Sequence, residues 1–150
     1  MKTWFRRAVG LGGVTLGGVL AGGLALAAPS TSEDEAGARR AVELYLQGHV
    51  TGQVAPFQEA FHDEMKMYLN RDGALVRKTK AEYLEGVNGK PAPDETRRKR
   101  RIVQLDVTGD VGVAKVELDY PNAFMTDYLT VIKTGGSWKI IGKVVHIQKR

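Results

Sequence analysis

The sequence predicts an α+β domain: helices gathered at the front, a curved antiparallel sheet behind, and the helices covering one face of that sheet. Three observations predict it. Apolar residues recur at helical spacing between Ala38 and His49. The last third of the chain reads as almost continuous strand. Those strands are separated by turns too short for a crossover, so neighbours must pair antiparallel. At 150 residues the chain suits one core. Apolar residues at 43% and charged residues at 26% exclude a disordered chain and a membrane bundle. Cysteine is absent, which excludes disulfides, thiolate metal sites, cysteine nucleophiles and a lipidated cysteine.

Taken in order, the first segment stands apart from the rest. Lys2, Arg6 and Arg7 lead into an uncharged run from Ala8 to Ala28, and Ala25 and Ala27 fit the small-residue rule for cleavage. Residues 1–27 therefore read as a signal peptide and 28–35 as a linker. An uncleaved anchor is the alternative, but the many glycines lower the apolarity of the run. The mature protein is expected to be exported, periplasmic or secreted, with no stable membrane anchor. Arg6-Arg7 leaves both the general and the twin-arginine route open. The formal charge of +5 includes the three basic residues of this segment, so the body carries +2.

The body follows from residue 36 to 148. Ser32 and Glu35 form a capping box ahead of a helix whose inward face is Ala38, Ala41, Val42, Tyr45, Leu46 and His49. Gly52 ends it, and Pro56, at a first helical position, opens a shorter helix with Phe57, Ala60 and Phe61 inward. Met65, Met67 and Leu69 alternate with polar residues up to Asp72-Gly73, the signature of a hairpin. Thr79 and Glu82 cap a third helix bearing Tyr83, Leu84 and Val87; Pro91 and Pro93 mark a loop. Four strands complete the chain, at 98–107, 111–120, 124–133 and 138–148, with turns at Gly109-Asp110, Pro121-Asn122 and Gly135-Gly136-Ser137.

Three stretches carry a resemblance. They are Val107 to Leu118, Thr126-Asp127-Tyr128-Leu129-Thr130-Val131-Ile132-Lys133, and Gly136-Ser137-Trp138-Lys139-Ile140-Ile141-Gly142-Lys143-Val144-Val145-His146. With the helical front before them, they resemble the nuclear transport factor 2-like superfamily, which includes SnoaL-like and ketosteroid isomerase-like members, and within it the branch named putative lumazine-binding. The resemblance implies a cone-shaped curved sheet wrapped around N-terminal helices, a small organic ligand in the cone and a homodimer. The catalytic Asp and Tyr set of ketosteroid isomerases has no residue-by-residue match in this chain.

Candidate residues follow from strand parity and chemistry. Strict alternation puts Ala114, Val116, Leu118 and Tyr120 on one face of their strand, and Trp138, Ile140, Val144 and His146 on one face of the last. His146 reads either as an acid–base group or as a structural histidine, and Asp127, in an uncharged stretch, is its natural partner. Tyr45, Tyr83, Tyr120, Tyr128 and Trp138 are candidate aromatic walls for a flat ligand, and equally ordinary core. His62 reaches either the cavity mouth or its own backbone. Neither His49 nor His62 has metal-pair spacing, so no metal and no cofactor are expected. The basic run Arg97 to Arg101 follows acidic Asp94-Glu95 and lacks interleaved aromatics. It reads as a strand entrance or an anion-facing rim, with no nucleic-acid partner expected. Val113, Leu129, Val131 and Val145 are the apolar residues available for a sheet-face dimer. The functional classes left open are a small-molecule-binding module, an isomerase, dehydratase or cyclase using His146 and Asp127, and an interaction scaffold with a filled interior.

Overall fold

The computed structural model describes residues 31–150. The signal segment expected at 1–27, and the first part of the linker expected at 28–35, lie outside those residues. Among the described residues no helix is long and apolar enough to cross a membrane.

Helix α1 (Ser32–Thr51) is capped one residue earlier than the sequence suggests. Thr31 takes the extended conformation, and its Oγ1 accepts the Asp34 amide at 3.1 Å, so the Ser32–Glu35 box does not form. Ala38, Ala41, Val42 and Tyr45 are buried as expected, joined by Leu44 and Gly48. Gly52 ends the helix in the left-handed conformation, at φ 65°. Helix α2 (Val54–Ala60) holds Pro56 at its third position rather than its first, still within the turn whose amides lack helical partners. Strands β1 (Phe61–Arg71) and β2 (Ala74–Thr79) form the expected hairpin, Asp72 and Gly73 both having positive φ. The Thr79–Glu82 capping box opens α3 (Lys80–Leu84). A loop containing one 3-10 turn (Glu95–Arg97) leads to β3 (Lys99–Thr108), β4 (Val111–Tyr120), β5 (Ala123–Thr134) and β6 (Ser137–Lys149).

The six strands make one curved, unclosed sheet in the order β2-β1-β6-β5-β4-β3. The meander from β3 to β6 is antiparallel as expected. A wholly antiparallel sheet is not formed, because β1 and β6 pair in parallel. The free edge of β1 is taken by the last strand, which arrives in the same direction because α3 and its loop carry the chain across to the far edge first. Helix α1 packs on the inner face against β3, β5 and β6.

The parity of β6 changes part way along. Val131 pairs with Ile140 and Thr130 with Gly142, leaving Ile141 as an extra residue in a bulge. Trp138 and Ile140 therefore face inward, and after the bulge Lys143 and Val145 do so, instead of Val144 and His146. This also corrects the expected dimer surface. Val113 points outward, but Leu129, Val131 and Val145 are core.

Leu129→Ala is expected to cost about 2–5 kcal/mol, the range for a cavity in a closed core. Val113→Ala, on the outer face, is expected to cost under about 0.5 kcal/mol. Urea denaturation measures both; equal effects would contradict this assignment of the faces.

Candidate functional site

Two polar constellations sit between α1 and the sheet. In the deeper one, Tyr45 donates its hydroxyl proton to Asp127 Oδ2 at 2.5 Å, and Lys143 Nζ donates to Asp127 Oδ2 at 3.0 Å and to the Tyr45 hydroxyl at 2.5 Å. The side chains of Asp127 and Lys143 are 0% and 5% exposed, so this is a buried ion pair, held by hydrogen bonds as such pairs must be. Asp127 Oδ1 meets no donor among the described residues. Burial lowers the Lys143 pKa, an effect opposed by the charge of Asp127. Burial first, and then the Asp127 charge, raises the Tyr45 phenol well above its usual range, so it stays protonated.

The second constellation centres on His49, one helical turn beyond Tyr45, whose ring meets Tyr45 edge-on at 4.7 Å. Its Nε2 lies 3.2 Å from the Tyr83 hydroxyl and its Nδ1 3.4 Å from the Tyr120 hydroxyl. Arg100 anchors this chain, its Nε donating to the Tyr120 hydroxyl at 2.9 Å. A neutral imidazole bridges the Tyr120 and Tyr83 hydroxyls, one ring nitrogen donating and the other accepting. Arg100 is held in turn by both Glu95 oxygens, at 2.5 and 2.8 Å, and by the His49 carbonyl at 3.1 Å. Burial, followed by the charges of Lys143, Arg100 and Arg98, keeps the His49 pKa well below 6.5. Burial likewise raises the Tyr83 pKa, so its phenol remains a donor at neutral pH.

A cleft of about 350 Å³ opens beside His49 and Tyr83. Phe57, Met67 and Val87 give it apolar walls; Lys78, Lys90 and Arg98 also line it. The loop that forms one wall is tied to the end of α1. The Gln53 side chain donates to the Gly89 carbonyl, and Gly52 approaches the Lys90 backbone so closely that a Cβ there would collide with it.

The residues expected from the sequence divide between this cleft and other places. Tyr83 lines it, Tyr45 lies behind His49, and Tyr120 sits below Arg98, whose guanidinium carbon is 4.2 Å from the ring centroid. Trp138 packs against Gly37 and lines a separate hollow. Tyr128 is 55% exposed on the outer face. His62 accepts the Glu64 amide on its Nδ1 at 3.1 Å, so its ring serves the local backbone. The Asp127–His146 pairing is not formed. His146 lies opposite Thr126, exposed on the outer face, because the Ile141 bulge reverses parity ahead of it. The basic run is distributed: Arg98 and Arg100 face inward to Asp94 and Glu95, and Arg101 faces outward to Glu117. Lys143 and the lysines of the cleft are residues that sequence reasoning missed. His49 was legible only as a member of the buried helix face. Among the described residues no group of three or more His, Cys, Asp or Glu is placed to hold a metal ion.

Comparison with known proteins matches this description. Residues 33–146 match the family model described as putative lumazine-binding. An NTF2-like protein of unknown function from Silicibacter pomeroyi DSS-3 is 25% identical, with a TM-score of 0.69 over 79% of this chain and 99% of that one. An NTF2-like protein of unknown function from Shewanella baltica OS155 is 20% identical, with a TM-score of 0.67 over 79% of this chain and 98% of its own. The chain is also 22% identical over 106 residues to a protein named aldolase FrzH from Cladobotryum sp, a span of 71% of this chain and 85% of that protein. The resemblance and the α+β cone expected from the sequence are both borne out.

The lowered pKa of His49 sets the sign of a pH effect. The unfolded chain takes up a proton near 6.5 where the folded chain does not, so stability is full above that pH and falls below it. The expected slope is about 1.4 kcal/mol per pH unit for this one group. Urea midpoints measured at falling pH should show it in the wild type and show it reduced in His49→Gln; equal slopes would contradict the assignment.

Proposed function

The chain belongs to the putative lumazine-binding family, and on that premise we propose that it is an exported module that binds a small, flat organic molecule in the cleft beside His49. One observation carries the reading: the cleft of about 350 Å³ joins apolar walls from Phe57, Met67 and Val87 to Tyr83, whose hydroxyl is held in place by His49. Apolar walls with a few placed polar groups are the usual make-up of a small-molecule site. A ring held against Phe57 and Tyr83, themselves edge to face at 5.4 Å, gains stacking area without displacing core. An open cleft of this size weighs against a scaffold with a filled interior.

An enzymatic reading stands second, favoured by a different observation. Among the described residues the Asp127 Oδ1 lone pairs meet no donor, in a buried site beside a lysine of lowered pKa, and the relative named an aldolase raises its standing. Asp127, Lys143 and Tyr45 then handle protons, in place of the Asp127–His146 pair.

Export and assembly are parts of the same proposal. The basic start and apolar run of residues 1–27 support cleavage. For assembly we propose a homodimer through the outer sheet face, where Tyr68, Val144 and Tyr128 lie side by side across β1, β6 and β5 and Val113 stands two residues along β4.

Lumazine titrated into the protein and followed by calorimetry is expected to bind with a micromolar Kd, weakened about three- to tenfold in Val87→Ala, a partly buried wall residue whose truncation removes contact area without opening the core. Absence of binding would count against the site. Native mass spectrometry of protein recovered from its own cells is expected to show an N-terminus at Ala28, a dimer and a reproducible small-molecule adduct. An intact N-terminus or a monomer would refute export or pairing respectively, and adduct-free protein would move the weight to the enzymatic reading.

A further inference from the structure

We propose that the ligand is a flat heteroaromatic acid whose carboxylate is held by Lys78 and Lys90 at the mouth of the cleft while its ring lies inside. This rests on the reading of the cleft as the binding site. Its lining contains three cations, Lys78, Lys90 and Arg98, and no carboxylate. The three are not equivalent. Arg98 is already neutralised, its Nε donating to Asp94 Oδ1 at 2.8 Å while its guanidinium stacks over Tyr120. Lys78 and Lys90 make no ion pair and no side-chain hydrogen bond among the described residues, whereas Lys80, Lys133 and Lys143 are all paired.

Both lysines are carried on backbone that cannot shift cheaply, so each is held at the cleft by its place in the chain. Lys78 pairs in register with Met67, which is buried, so the two share the helix-covered face of the hairpin and both line the cleft. An alternation shifted by one residue would have sent the ammonium to the outer face. Lys90 is fixed through its main chain by the close approach of Gly52 and by the Gln53 bond to Gly89. A cleft with low-dielectric walls and one sign of charge concentrates an anion. Two separate ammonium groups suit the two oxygens of one carboxylate, each taking a charge-assisted hydrogen bond. Nothing in the inner walls requires charge: Phe57, Met67 and Val87 take the ring, and Tyr83 takes a ring carbonyl or nitrogen.

The test compares lumazine with lumazine-6-carboxylate by calorimetry on the full-length folded protein and on a Lys78→Gln/Lys90→Gln variant. The carboxylate is expected to bind wild-type protein about ten- to a hundredfold more tightly than the parent, the worth of one or two charge-assisted bonds. That ratio should shrink with added salt and fall close to one in the variant. Both positions lie outside the core, so the variant should keep the wild-type circular dichroism and melting temperature. A ratio near one in the wild type would overturn the inference while leaving ring binding intact. A ratio unchanged by the double substitution would overturn the assignment to these two lysines. If neither compound binds, the cleft reading falls and the inference falls with it.

Discussion

Strand β6 could keep its two-residue alternation to the end only by turning Lys143 to solvent and Val144 and His146 toward the helices. The extra residue at Ile141 prevents this. It also falls where β1 slips its register against β6, so these two neighbouring strands bend at the same level and the sheet curls around α1. Below the bend the inner face is apolar, with Trp138 and Ile140 against the start of α1. Above it the same strand delivers a lysine. Taking that charge out of water costs several kcal/mol, and the cost is offset only because Asp127 on β5 and Tyr45 on α1 are within hydrogen-bond reach. The bulge thus determines both the curvature and the chemistry of the interior.

Polar groups in such a place must be nearly all satisfied, and here one connected chain satisfies them. Glu95 holds Arg100, Arg100 donates to Tyr120, and His49 bridges the hydroxyls of Tyr120 and Tyr83. A guanidinium can only donate, and a neutral imidazole has one donor and one acceptor, so every member has a partner. The chain links β3 and β4 through the end of α1 to α3, elements that share little apolar contact there. A ligand meeting Tyr83 meets a hydroxyl already held in place by His49, which removes an ordering cost from binding. The opening of the cleft and the closure of the core therefore depend on one connected set of bonds.

Much of this was legible in the residues and some of it was not, for reasons that can be named. The helices, the Asp72-Gly73 hairpin and the meander follow from spacing and turn chemistry, which act over a few neighbours. The parallel pairing of β1 with β6 has no local signal, since it joins residues 76 to 79 positions apart. Parity arguments held for β4, where Ala114, Val116, Leu118 and Tyr120 do share the inner face. They failed for β6 beyond Gly142, and a glycine inside a strand was the one available warning of a bulge. That single failure misplaced Val145 and His146 and hid Lys143. Tyr128 was misjudged differently: aromatic character alone does not choose a face. His49 stood on the buried side of α1 from the first, but its partners come from β4 and α3, which no pattern along the helix can supply.

The division between rigid and adjustable parts explains how such a site can take its specificity from few residues. Tyr45, Phe57 and Met67 belong to the continuous core, and altering them disturbs packing throughout. The opposite wall is α3, none of whose residues is fully buried, and the loop after it, pinned at Gly52 and Gly89 and touching the core through Val87. Loops anchored at their ends on a rigid scaffold tolerate exchange of side chains at little cost to stability. Lys90 sits on such a loop and Lys78 near the open edge of the sheet, so the charge of the mouth can change while the ring-binding wall stays fixed. Membership of the family therefore speaks for the shape of the cavity, and the residues at its mouth speak for the ligand.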